Sequence, residues 1–257
     1  MSFDVFFLLG AGFLGGVLNS IAGGGSFITF PALLWAGVPP ISANATNTFA
    51  SCAGYLSGTL AFREDLRAEK AALAGLLVMS LAGGILGAWL LMQTPEARFR
   101  EAIPWLMLIA TLLFAFGGRL NGVFKAVAAR HRHASSLGRI LQQFMLLAVC
   151  IYGGFFNAGL GIIILSYLVL AGHTNINTMN GLKLLASSAV SIIAIALFVW
   201  EGAIAWREGV LVLLGTLAGG YAAAHLSRKL PQAQVRTFVL VASVAITGYF
   251  FFETYGA

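Results

Sequence analysis

Charge is scarce in this sequence: 9% of its 257 residues are Asp, Glu, Lys or Arg, whereas 59% are hydrophobic. In a soluble globular domain about a quarter of the residues are charged, so the composition excludes an ordinary soluble globule. Apolar stretches long enough to cross a bilayer recur from one end of the chain to the other. The sequence therefore predicts a multi-pass membrane protein surrounded by a lipid bilayer.

Acidic residues are rarer still, with nine Asp and Glu against fifteen Lys and Arg. All nine fall at or near the end of a predicted membrane segment. Cation pumps and proton relays usually need an acid within the membrane, so this absence favours an anion as substrate. The net charge of +6 requires no nucleic acid as partner, because cytoplasmic loops of membrane proteins are basic for topological reasons.

The sequence also has few residues that could carry out chemistry. Cys52 and Cys150 stand in apolar surroundings without a second cysteine or a histidine at metal-ligand spacing, so neither a disulfide framework nor a zinc site is expected. Histidine, cysteine and acidic residues form no cluster that could provide a nucleophile, a base or a metal ligand. We therefore expect no enzyme and no cofactor.

The apolar stretches predict an all-α fold with about eight long transmembrane helices. They lie near residues 5–22, 41–62, 70–92, 102–118, 139–157, 178–200, 205–226 and 234–252. Two further pieces, 26–36 and 161–171, follow breaks and have about half the length of a spanning helix. The predicted organisation is a membrane repeat at 1–118, a basic cytoplasmic connecting loop at 119–138 and a second membrane repeat at 139–257.

The two halves show a weak internal duplication. Matching positions are Asn19 and Gly23 with Asn157 and Gly161, and Ala36-Gly37 with Ala171-Gly172. Glycine-interrupted segments at corresponding places in two halves point to a transporter whose substrate site lies between the repeats near the midplane.

Charge distribution indicates how the chain crosses the membrane. If the two short pieces also cross, Lys and Arg divide eleven to three between the two sides instead of nine to five, with Lys183 left out as intramembrane. The first division obeys the positive-inside rule better. Each half then makes five passages, so the halves are inverted relative to each other. Both termini are predicted outside, and the loops at 63–70, 119–138 and 227–233 in the cytoplasm.

The first break, residues 19–31, is polar and rich in glycine. Its three consecutive glycines should unwind the helix, since each costs roughly 1 kcal/mol relative to alanine. Unwound backbone at membrane depth is tolerated only where it is buried in protein or lines a wet cavity. Bare N–H groups at a helix start attract anions, so the break predicts a binding site. The alternative is a close packing of two helices through the glycines.

Lys183 lies inside the predicted helix 178–200 with no acidic neighbour in the sequence. A charge within the membrane is costly unless it faces a partner or water, and an anionic substrate would be such a partner. The alternative is that Lys183, near the helix start, extends its ammonium to the membrane interface. The expected substrate-binding residues are Asn19, Ser20, Gly23, Gly24, Gly25, Ser26, Asn44, Asn47, Asn157, Gly159, Gly161 and Lys183.

Several of these residues belong to motifs spread along the chain. The motifs are Gly23-Gly24-Gly25, Pro31-Ala32-Leu33-Leu34, Gly37-Val38-Pro39-Pro40 with Ala43-Asn44-Ala45-Thr46, Asn180-Gly181-Leu182-Lys183, and Trp206. Together they resemble the TauE/SafE family of sulfite exporters over nearly the whole chain. The resemblance implies a permease of a bacterial-type inner membrane for sulfite, small organosulfonates or related anions.

These observations predict a secondary transporter that works by alternating access at a site between two inverted repeats. The oligomeric state and the direction of transport are left open. A different class of protein stays possible at this point, a non-transporting membrane subunit that binds a partner through its helices or its basic loop. The paired breaks favour the transporter.

Overall fold

The computed structural model describes residues 2–21, 24–67, 70–130, 136–226 and 232–256. Every regular element within these ranges is an α-helix, which confirms the predicted all-α class. The helices are α1 Ser2–Ile21, α2 Ser26–Trp35, α3 Pro40–Ala61, α4 Arg63–Arg67, α5 Lys70–Gln93, α6 Glu96–Arg130, α7 Ser136–Phe155, α8 Leu160–Leu170, α9 Ile176–Trp200, α10 Trp206–Leu226 and α11 Gln232–Tyr255.

The predicted connecting loop at 119–138 differs most from the structure. α6 continues to Arg130 and α7 begins at Ser136. Residues 123–130 are rich in alanine with lysine and arginine, which are good helix formers, so the helix extends beyond the last apolar stretch. The division of the chain into two repeats and a connecting segment stays a prediction.

Four of the described helices are long and apolar enough to cross a membrane, Leu73–Gln93, Glu96–Phe116, Ile176–Trp200 and Arg236–Tyr255. Shorter apolar helices cover Asp4–Ser20, Ser26–Trp35, Ile140–Phe155 and Leu160–Leu170. The predicted count of eight long spans is therefore not confirmed. α3 has the length of a span, but its polar Asn, Thr and Ser residues lower its mean hydropathy. Several of these polar residues are buried and face the protein interior.

One end of the bundle, here called the aromatic end, is defined by contacts between helix ends. They are Ile41 N to Glu96 Oε1 at 3.0 Å, Ala205 N to Thr46 Oγ1 at 3.0 Å and Trp105 Nε1 to Tyr255 OH at 3.2 Å. All five tryptophans lie at or near this end and are more than half exposed, namely Trp35, Trp89, Trp105, Trp200 and Trp206. Exposed tryptophans are typical of a membrane–water interface.

Two helix pairs cross through glycines. Gly12 and Gly16 of α1 lie against Val212 and Thr216 of α10. Gly83 and Gly87 of α5 lie against Ile151 and neighbouring residues of α7. These contacts advance in step along both helices, so each pair is parallel, and the small residues four apart allow the backbones to pack closely. Because α1 and α10, like α5 and α7, come from different halves, the two halves interleave.

The short helices α2 and α8 end in the same way. After each helix a glycine has a positive φ, 85° at Gly37 and 92° at Gly172. The next residue then donates its N–H back to the helix, Val38 to Leu33 O and His173 to Leu168 O. These are Schellman caps, whose left-handed residue is usually glycine. The predicted match of Ala36-Gly37 with Ala171-Gly172 is confirmed.

α2 and α8 run toward opposite ends of the bundle. α2 ends at the aromatic end, where the rings of Trp35 and Tyr249 lie 5.8 Å apart. α8 ends where α5 and α7 begin, since His173 lines one cavity with Gly75 and Gln143. Inverted repeats would place the two short helices in this way. The inverted repeat stays a prediction that this arrangement favours.

Candidate functional site

A polar face of α3 lies between the two breaks. Asn44, Asn47 and Tyr55 are 1%, 1% and 9% exposed. Their spacing of three and then eight residues places them on one side of the helix. This face contacts the start of α2 in the first half and the segment between α7 and α8 in the second. The polar face of α3 therefore connects the two breaks.

The start of α2 is held by Asn47. Its Nδ2 donates to Ser26 Oγ at 3.2 Å, and its Oδ1 lies 2.5 Å from Thr29 Oγ1. Thr29 Oγ1 is also 3.2 Å from Gly25 O, one turn back. All three side chains are buried. Both polar groups of Asn47 have partners within the chain, so we interpret it as a residue that positions Ser26.

The segment before α8 is held by Asn157. Its Oδ1 accepts a hydrogen bond of 2.8 Å from Tyr55 OH, and its Nδ2 donates to Ser191 Oγ at 3.2 Å. Asn157 is 1% exposed. Its amide thus ties the second break to α3 and to α9. A buried amide with both ends bonded fixes the local backbone.

Lys183 lies beside the start of α8. A methyl group placed on Gly161 would contact the Lys183 stem at 3.4 Å, so the lysine stem runs along the bare backbone there. The ammonium donates to Asn180 Oδ1 at 3.3 Å. Among the described residues no carboxylate forms an ion pair with it. The second break therefore has a positive charge next to the positive end of a helix.

The residues facing the two short helices occupy the same positions in their own helices. α3 begins at Pro40 and α9 at Ile176. Asn47 and Lys183 are each the eighth residue of their helix. Asn47 contacts Ser26 at the start of α2, and Lys183 contacts Gly161 at the start of α8. The halves thus share a backbone arrangement, but one has an amide where the other has an ammonium.

The structure distributes the other predicted site residues unevenly. Asn19 lies in α1 with its amide toward Gly54 of α3, whereas Ser20 is exposed and lies near Gly220 of α10. Gly24 is surrounded by apolar side chains, including Val239 and Phe114. Ser20 and Gly24 are therefore not brought to the polar face of α3. Gly23 lies outside the described residues.

Gly25 and Gly159 are the residues that precede the two short helices. Gly159 has a φ of 81°, a left-handed conformation that favours glycine. Gly25 packs so closely on the Gly15 carbonyl that a side chain would not fit. The predicted match of Asn19 with Asn157 is wrong, because Asn19 lies inside α1 while Asn157 lies beyond the end of α7. Gly25 and Gly159 are the equivalent positions.

Three members of these networks were missed among the predicted binding residues: Tyr55, Thr29 and Ser191. A sequence signal exists for Tyr55, because Asn44, Asn47 and Ser51 already place a polar stripe at helical spacing and Tyr55 continues it. The same spacing leads from Lys183 to Ser191 through Ser187. Thr29 lies in the polar first break at 19–31, which the sequence singles out, but its contact with Asn47 depends on the fold of that break.

A cavity of about 130 Å³ lies between α5, α7, α8 and α9, at the end opposite the aromatic end. Its polar lining residues are Gln143, Tyr167 and His173. Leu182, next to Lys183 in the chain, also lines it. The cavity is therefore separate from the two breaks but borders the helix that carries the charge.

A family model described as sulfite exporter TauE/SafE matches residues 8–250 of the chain. The chain is also similar to three proteins named probable membrane transporters. They are the ORF9 protein of Sinorhizobium sp, 27% identical over 241 residues (93% of this chain, 89% of that protein), a Haemophilus influenzae protein, 28% identical over 239 residues (92% and 90%), and YfcA of Escherichia coli, 28% identical over 250 residues (95% and 88%). No solved structure matches the chain.

Proposed function

This chain belongs to the sulfite exporter TauE/SafE family, and on that premise we propose that it is a secondary transporter for sulfite or a small organosulfonate. Its relatives and its apolar helices make it a membrane protein of a transporter family. The substrate, the mechanism and a location in a bacterial-type inner membrane are what we propose here.

Lys183 carries the proposal. Its ammonium is held by Asn180 and has no ion-pair partner among the described residues. The start of α8, next to Gly161, adds partial positive charge of the same sign. Placing a charge within the membrane without a counter-charge is costly, and an anion between the ammonium and the helix start would lower that cost. A small oxyanion suits this combination of a point charge and backbone N–H groups.

The remaining contacts would come from both halves. On the side of α8 the bare backbone at Gly161 lies beside the Lys183 stem, where glycine lets a ligand approach the main chain closely. Gly159 packs against Ala110, and Asn157 is bonded to Tyr55 and Ser191, so these two residues would shape the start of α8 for the anion. Ser26 and the backbone at Gly25 would contribute from the start of α2, with Asn19 nearby on α1. The anion would thus bind where both short helices begin, between the two repeats.

The opposite directions of α2 and α8 support alternating access as the mechanism. In the described conformation Ser26, Asn47 and Asn157 are all less than 10% exposed, which supports a site that is closed in this state. Movement of one half against the other would open a path along one short helix and close the path along the other. The glycine crossings of α1 with α10 and α5 with α7 would be the contacts at which the halves move.

Flux into proteoliposomes tests the proposal. Purified protein should transport labelled sulfite or sulfoacetate, with sulfate and chloride as comparison anions and protein-free liposomes as the control. A lack of flux with every anion would contradict the transporter and favour a non-transporting membrane subunit. Conversion of an anion into a chemically different product would indicate an enzyme instead.

A further inference from the structure

Ser187 of α9 is a buried serine whose hydroxyl forms no hydrogen bond within the described part of the chain. Its side chain is 1% exposed. The two neighbouring buried serines of α9 are bonded: the Ser188 hydroxyl lies 3.2 Å from Thr59 Oγ1. Ser191 Oγ accepts a hydrogen bond of 3.2 Å from Asn157 Nδ2. Buried polar groups nearly always have a partner, so the unused hydroxyl of Ser187 calls for a physical reason.

Ser187 faces the second break, the segment between α7 and α8. One turn before it on α9, the Lys183 stem lies against Gly161. One turn after it, Ser191 is bonded to Asn157. Residues four apart lie on the same face of a helix. Because the residues on either side of Ser187 along this face both contact the break, the Ser187 side chain faces it as well.

The start of α8 has an unused donor next to Lys183. The N–H groups of Leu160 and Ile162 each donate to a carbonyl of the break. The N–H of Gly161, which lies between them in the chain, has no hydrogen bond among the residues that the structure describes. The first N–H groups of a helix have no partner within the helix and are open to a ligand. This free N–H belongs to the residue that the Lys183 stem contacts.

The three groups lie close enough to contact one small anion. The Cα atoms of Lys183 and Ser187 are one turn apart, about 6 Å along α9. A small oxyanion with a hydrogen bond of about 2.8 Å on either side spans that distance. Gly161 lies across from them on α8, so the three donors form a triangle and do not lie along one line.

We propose that the Ser187 hydroxyl donates a hydrogen bond to the transported anion and makes the site prefer anions with three oxygens over carboxylates. Lys183 Nζ, the Gly161 N–H and Ser187 Oγ would each bond one oxygen of a pyramidal SO₃ group. A planar carboxylate has two oxygens and leaves the Ser187 hydroxyl unpaired, and a site with an unpaired buried group rejects that ligand. This inference rests on the proposed anion transport and identifies a residue that determines its specificity.

The test compares ethanesulfonate with propanoate, which share an ethyl group and differ in the anionic group. Binding to the purified protein is measured by thermal stabilisation, and exchange of each anion is measured in proteoliposomes. The parent should bind ethanesulfonate about tenfold more tightly than propanoate. Ser187→Ala should weaken ethanesulfonate binding about tenfold and leave propanoate binding nearly unchanged, so that the ratio falls close to one.

Ser188→Ala is the matched control. Ser188 follows Ser187 in α9 and is 3% exposed, but its hydroxyl already has a partner in Thr59. Thr59 also donates to Tyr55 O at 2.8 Å, so it keeps a hydrogen bond when Ser188 is replaced. Ser188→Ala should therefore keep the preference of the parent for ethanesulfonate.

Equal binding of both anions by the parent, or an unchanged ratio in Ser187→Ala, overturns this inference while anion transport stands. Equal weakening of both anions in Ser187→Ala would show a structural role and also overturns it. If the parent binds and transports neither sulfonate nor sulfite, the proposed function fails and the inference fails with it. If Ser187→Ala does not fold, Ser187→Cys, which replaces the hydroxyl by a weaker donor, provides the same comparison.

Discussion

At the start of α2 the neighbouring side chain from the next long helix is Asn47, and at the start of α8 it is Lys183. Both short helices end in the same glycine cap, at Gly37 and Gly172. Asn47 forms hydrogen bonds within its own half, whereas the Lys183 charge has no ion-pair partner among the described residues. The comparison teaches that one backbone arrangement serves two purposes: the first half fixes a break, and the second offers a charge.

The largest effect is expected at the charged position. Lys183→Met keeps the apolar stem and removes the ammonium, so anion binding should weaken on the order of 30-fold or more while the protein stays folded. Lys183→Arg should also be impaired, because a planar guanidinium does not replace a compact ammonium. Thermal stabilisation by sulfite of the detergent-solubilised protein is the measurement.

Arg207→Met is the control for Lys183→Met, because Arg207 is exposed near the start of α10, at the aromatic end. It removes one positive charge from the end of the bundle opposite the one where α9 begins and should leave sulfite binding unchanged. If Lys183→Met is stabilised by sulfite as strongly as the parent, Lys183 extends to the interface and the anion site lies elsewhere.

A smaller effect, on stability instead of binding, is expected at the matched position of the first half. Asn47→Leu leaves two buried hydroxyls, on Ser26 and Thr29, without their amide partner, which should destabilise the protein by about 1–3 kcal/mol. Thermal unfolding in detergent is the measurement. Asn177→Leu, at an exposed position of α9, is the control and should be nearly neutral. Lost anion binding with unchanged stability would instead make Asn47 a direct ligand.

The smallest effect tests whether the two short helices share one backbone design. Gly37 and Gly172 have left-handed φ values and open space around them, so alanine meets conformational strain without a clash. Each substitution should cost roughly 1–2 kcal/mol, and the two costs should agree. Gly10→Ala, in the interior of α1 with nothing nearby, should instead be neutral or slightly stabilising. Clearly unequal costs at Gly37 and Gly172 would weaken the case for a repeat.

The course of the helices could be predicted closely from sequence, because long apolar runs and glycine breaks depend on residues next to one another in the chain. The positions of both short helices and the cap at Gly172 follow from such local signals. The match of Asn19 with Asn157 failed because a weak duplication shifted by a few residues cannot be aligned without knowing where each helix ends. Tyr55 was missed although its helical spacing from Asn44 was visible.

The sequence by itself determined the class of the protein, since scarce charge and recurring apolar stretches leave no alternative to a helical membrane protein. It also indicated that Lys183 is unusual, because a charge inside an apolar segment is costly unless it faces a partner or water. Only the tertiary structure decided which polar groups form hydrogen bonds with each other. Hydrogen bonds such as the one from Tyr55 to Asn157 join residues about a hundred positions apart, so they depend on how the helices pack and cannot be read from neighbouring residues in the chain.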